Sequence, residues 1–144
     1  MARADRIEPD LEVVARLRTT ASALPEAYEE EAWTGVRWRI RAQTFAHVMV
    51  AQAGFESSFR DLTGVADPTT VVTFRASGDE LLALTHQGLP FYKPPWSPTI
   101  VGMVLDAQTD WSEVAELVTE SYRLCAPRKL ARLLDQSSGE GTVW

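Results

Sequence analysis

Apolar residues first recur at helical spacing. Leu11, Val14, Leu17 and Ala21 make one stripe, with Pro9 tolerated at the start of the helix and Leu24-Pro25 ending it. The period then falls to two. Val36, Trp38 and Ile40 face one way and Arg37, Arg39 and Arg41 the other, the pattern of a half-buried strand. Tyr28 to Trp33 reads as its partner, with Thr34-Gly35 as the turn. Thr44 to Val50 is apolar on both faces and is placed centrally; Val71 to Arg75 is rich in β-branched residues. Between them, Ala51 to Thr70 carries Gly54, Gly64 and Asp67-Pro68. It reads as a long loop with a helical turn around Ser57 to Leu62.

Ser77-Gly78-Asp79-Glu80 spells a capping box ahead of Leu81, Leu82 and Leu84, and Gly88 suits the close of that helix. Phe91 to Pro98 is proline-rich and reads as irregular. Ile100 to Leu105 is a last strand with Gly102 inside it. Asp110-Trp111-Ser112-Glu113 opens a third helix, whose Trp111, Val114, Ala115, Val118, Tyr122 and Cys125 share a face. Ala126-Pro127 breaks it, Leu130, Leu133 and Leu134 mark a short last helix, and the tail from Ser137 is small, polar and expected to be mobile. The order predicts an α+β fold with helices packed on one face of an antiparallel β-meander of about five strands. Trp38, Ile40, Phe45, Val72, Phe74, Leu81, Val104, Val114 and Val118 are its expected core. One domain over 1–136 and a tail over 137–144 fit the length of 144 residues.

Composition narrows the function classes. Apolar residues make up 45% and charged residues 24%, which is globular usage. Cys125 is the only cysteine, so no internal disulfide or cysteine-based metal site can form, and a reducing, cytoplasmic setting is expected. Met1 to Asp10 lacks an apolar stretch, so no secretory leader is expected, and no run is long enough for a membrane helix. Net charge is −6, so any nucleic-acid contact has to be a local basic patch on an acidic body.

The C-terminal half carries a resemblance. Gly88-Leu89-Pro90-Phe91-Tyr92-Lys93, Trp96, Val101-Gly102-Met103-Val104-Leu105-Asp106, Thr109-Asp110-Trp111, and Glu120-Ser121-Tyr122-Arg123-Leu124 running into Ala126-Pro127-Arg128-Lys129-Leu130 resemble the MmcQ/YjbR-like family. Leu24-Pro25-Glu26 and Thr44-Phe45-Ala46 fit it upstream. The resemblance implies a frataxin-like (CyaY-like) α+β fold and a group often labelled DNA-binding, a label that rests on shape and not on a site. Two departures stand out. Ala42-Gln43 replace a Gly-Lys that many relatives place there, and Pro95 precedes Trp96 where some have histidine.

Two surfaces can carry a binding function. Arg37, Arg39 and Arg41, with Arg75 on a neighbouring strand, can track phosphates, and Tyr92 and Trp96 can stack on bases beside Lys93. The same arginines equally suit a cross-strand charge ladder, with Glu31 opposite Arg37 and Glu29 opposite Arg39 if the loop is odd. The alternative is a protein-interaction or small-ligand module using the proline and aromatic segment 91–98. Arg123, Arg128, Lys129 and Arg132 read as capping and solvated charge, or as an extension of the basic patch. Glu26, Glu29, Glu30 and Glu31 could tempt a metal reading, but neighbours on a strand point apart, so no metal or other cofactor is expected. His47 and His86 read as a satisfied histidine and a helix-end histidine, and Cys125 as a small hydrophobe. With no phosphate loop or nucleophile motif, no enzyme is expected.

Overall fold

A computed structural model describes residues 7–52, 59–66 and 68–142, with side chains as far as Asp135 in the last helix. Its elements are α1 (Leu11–Ala21), β1 (Tyr28–Glu31), β2 (Val36–Ile40), β3 (Gln43–Ala51), α2 (Phe59–Thr63), β4 (Thr69–Arg75), α3 (Gly78–Gln87), β5 (Phe91–Tyr92), β6 (Ile100–Val104), α4 (Trp111–Cys125) and α5 (Arg128–Thr142). The fold is α+β. Its six strands lie in the order β1-β2-β3-β4-β6-β5, and every pairing is antiparallel. The meander therefore holds only through β4. The chain then passes through α3 to the far edge, lays down β5, and returns as β6 beside β4.

Side chains alternate across the sheet and give it two apolar faces. On the inner face Trp38, Ile40, Val48, Val72, Phe74 and Met103 join Val14 and Leu17 of α1, Leu84 of α3, Val114 and Val118 of α4, and Leu130 of α5. On the outer face Met49, Val71, Tyr92 and Val104 pack around Phe59 of α2. The short α2 thus covers the side opposite the other helices, so the helices do not share one face. A strand that is apolar on both sides, as β3 is, needs cover on both. The first two residues of the expected helical turn, Ser57 and Ser58, lie outside the described residues.

Of the expected core, Leu81 is only half-buried and Val104 belongs to the outer cluster; the rest is buried on the inner face. Leu11 is 84% exposed at the first turn of α1, whose cap is Asp10, bonded to Glu12 N at 2.8 Å. Ser77 stands at the cap of α3 without a side-chain bond to the helix, whereas Asp110 accepts from Ser112 N and Glu113 N. Trp111 is half-buried with Arg16 stacked on its ring. The last helix runs through Thr142 and does not end near Leu134, since extending a formed helix adds one hydrogen bond per residue.

One irregularity shapes the sheet at the β2–β3 pairing. Trp38 pairs with Ala46 and Arg39 with Thr44, so Phe45 is an extra residue in β3. Phe45 turns inward against Tyr122, edge-on at 5.4 Å. The buried Ser121 hydroxyl of α4 donates to Phe45 O at 2.7 Å and accepts from Arg75 N at 2.8 Å. It thereby fills the gap that the bulge opens between β3 and β4.

Candidate ligand site on the outer sheet face

The half of the outer face left uncovered by α2 carries polar residues. Glu30, Arg37, His47, Thr73 and Gly102 lie in one cross-strand row. The loop 32–35 sets the register. It is four residues long and closed by Ala32 N donating to Gly35 O at 3.1 Å. An even loop puts Glu30 opposite Arg37 and Glu29 opposite Trp38, one position from the ladder expected with an odd loop.

That shift decides the arginines. Glu30 accepts from Arg37 Nε at 2.5 Å and from Arg39 Nη1 at 3.2 Å, and Arg37 holds its carboxyl below the usual carboxylate range. Arg39 also donates to Ala42 O at 2.7 Å. Arg41 lies past the end of β2, at φ +55°, and pairs with Glu26 at 3.2 Å. Glu29 turns to the helices, where Arg18 and Trp38 Nε1 bind it and Arg18 lowers its pKa. The acidic run is therefore dispersed. Among the described residues, no three His, Cys, Asp or Glu side chains are placed to hold a metal ion.

Arg75, the last residue of β4, is differently placed. Its Nη1 donates to Thr99 Oγ1 at 2.9 Å, its Nε is buried without a partner, and it forms no ion pair with a described carboxylate. Lys93 is spent locally: its Nζ donates to Pro94 O at 2.9 Å and to Ser97 O, and burial lowers its pKa. Tyr92 is buried. Its ring meets Phe59 edge-on at 5.4 Å and lies over Gly102, where a methyl would come within 2.2 Å of Tyr92 Cζ. Trp96 is 58% exposed. The loop that Lys93 closes carries its ring to the edge of a concavity of about 300 Å³, shared with Arg37, Thr44, His47, Thr73 and Arg75.

Of the residues expected to bind, the fold thus gathers Arg37, Arg75 and Trp96, keeps Arg39 beside Glu30, and puts Arg41, Lys93 and Tyr92 to structural use. His47, expected only as a satisfied histidine, lines the site. Its Nε2–H donates to Thr34 O at 2.7 Å, and burial lowers its pKa, the charge of Arg37 adding to the effect. Cys125 lies at the same end of the sheet, its thiol donating weakly to Thr44 O and pushed up by burial. Thr44 and Thr73 were missed as well. Their hydroxyl-bearing positions carry no motif and gain meaning only from strand pairing.

A family model described as YjbR matches residues 22–124. The chain belongs to the YjbR family. The match runs from the end of α1 to the last turn of α4, so the whole outer face lies within the family region. No curated protein and no solved structure matches the chain. Among the described residues of this YjbR chain, no helix is long and apolar enough to cross a membrane.

Proposed function

We propose that this YjbR-family chain is a non-catalytic binding domain whose ligand is nucleic acid, met as an unstacked nucleotide on the open half of the outer sheet face. The observation that carries the reading is the concavity shared by Trp96, Arg37 and Arg75. An exposed indole offers a stacking surface, and guanidinium groups suit phosphate. Thr44 and Thr73 add hydroxyls that can donate or accept. A concavity of about 300 Å³ is at the small end of ligand sites and suits one nucleotide unit better than a duplex. Arg37 of the arginine strand and Trp96 of the segment 91–98 both line it, as the nucleic-acid reading requires.

The acidic body sets the scale. Arg37 shares its charge with Glu30, and the chain carries −6 overall, so binding rests on one or two phosphates and is weak and salt-sensitive. The non-catalytic part is supported by His47, whose Nε2 is engaged by Thr34, and by Cys125, whose thiolate is disfavoured by burial.

The test is anisotropy titration of a labelled single-stranded oligonucleotide and of its duplex at low salt. Wild type is expected to prefer the single strand. Trp96→Ala, which removes an exposed ring, is expected to weaken binding about tenfold, as loss of one stacked base does, with the thermal midpoint unchanged. Equal binding by wild type and Trp96→Ala would overturn the reading.

A further inference from the structure

Arg75 lines two concavities. The first is the nucleotide site beside Trp96; the second, of about 310 Å³, lies around the end of the sheet and is lined by Gln43, Ser77, Thr99, Leu124 and Cys125. We infer that the ligand is at least two nucleotides long, with its internucleotide phosphate on Arg75 and its second nucleoside in the Gln43–Ser77–Cys125 concavity. The inference rests on the reading of the first concavity as a nucleotide site.

Three observations support it. The guanidinium gives Nη1 to Thr99 and has the Cys125 thiol beside it, but among the described residues no carboxylate neutralises its charge. A phosphodiester supplies acceptor oxygens with charge, the strongest partner for a guanidinium. The two concavities are of nearly equal size and meet at that residue, so a ligand of two similar units joined by an anion matches their arrangement. The second concavity also has the mixed lining a nucleoside needs. Leu124 is exposed and apolar, while Gln43 and Ser77 can donate and accept towards the edge of a base or a sugar hydroxyl. The exposed side chains of Gln43 and Leu124 are not consumed by the core.

The test uses thymidine 5′-monophosphate and its 5′-phosphorylated dinucleotide, titrated by amide chemical shift on the whole chain. The dinucleotide is expected to bind about tenfold tighter, a difference that a few added contacts supply. It should perturb residues 43, 77 and 124–125 in addition to those around 96. Gln43→Ala is expected to remove the dinucleotide's advantage and leave the mononucleotide's affinity as it was. Cys125, the only cysteine, gives an independent readout: dinucleotide should slow its alkylation and mononucleotide should not. If the mononucleotide binds near Trp96 but the dinucleotide binds no tighter and leaves alkylation unchanged, the two-unit site is overturned and the single-nucleotide site stands. If neither binds, both readings fall.

Discussion

Ser121 Oγ stands where three elements meet. It donates to a β3 carbonyl and accepts a β4 amide from its place on α4. The carbonyl belongs to the bulged Phe45 and the amide to Arg75 at the end of β4, and Ser121 is fully buried. Ser121→Ala is expected to cost about 1–3 kcal/mol, the penalty for leaving buried polar groups unpaired, read as a lower urea midpoint. Glu30 has the opposite character. It is a surface residue whose chief effect is to restrain Arg37 and Arg39. Glu30→Gln is expected to strengthen oligonucleotide binding several-fold at low salt, checked by anisotropy; unchanged binding would mean Arg37 does not face the ligand. The alternation of Arg37 and Arg39 was legible in the sequence, but the departure of Arg41 past the end of β2 and the identity of the restraining acid were not. Three glutamates stand in a row, and only the parity of the loop chooses between them.

The β1–β2 hairpin shows how one element places the site. Gly35 has φ +73°, and a methyl there would lie 1.9 Å from Val48 O. Only glycine permits this close approach of loop to strand, which also brings Thr34 O to His47. Gly35→Ala is expected to lose more than about 2 kcal/mol by thermal or chemical denaturation, from left-handed strain plus a backbone clash. The contact with Thr34 has a pH signature as well. The folded pKa of His47 lies below its ordinary 6.5, so the unfolded chain takes up this proton first as pH falls. The stability tied to neutral His47 is therefore present above 6.5 and lost as pH drops below it. Losses from Glu29 and Glu30, whose pKa values are lowered, set in only below 4.5. Glu80, pushed up by burial and by Glu120, shifts in the other direction and is untouched by a change at 47. His47→Gln should accordingly flatten the fall in urea midpoint between 6.5 and 4.5; an unchanged slope would contradict the buried neutral imidazole. Long periodic elements such as α4 were visible in the sequence. The two-residue β5 was not, because two residues define no period and three prolines follow within the segment.

At the scale of the whole molecule, a net charge of −6 and a local cationic, aromatic concavity coexist because the fold separates them. The basic residues of the concavity come from β2 and β4, and its ring from the loop before β6. No window of sequence contains all three. The arginine face was legible from alternation, and Trp96 from its place in a proline-held loop. Their meeting depends on β6 inserting beside β4, which nothing local encodes. Arg75 likewise looked like one more strand arginine, and among the described residues no carboxylate pairs with it.

The central claim is that Arg37 and Arg75 meet phosphate on this face. It is tested most directly by the salt dependence of single-strand binding in wild type and in the Arg37→Ala/Arg75→Ala double variant. Each neutralised phosphate contributes about 0.7 to the slope of log K against log salt for a single strand. The account predicts a wild-type slope near −1.4 that flattens towards zero in the double variant, with affinity lost at low salt and the thermal midpoint largely retained. A slope unchanged by removing both arginines, or no binding by wild type at the lowest salt, would contradict it.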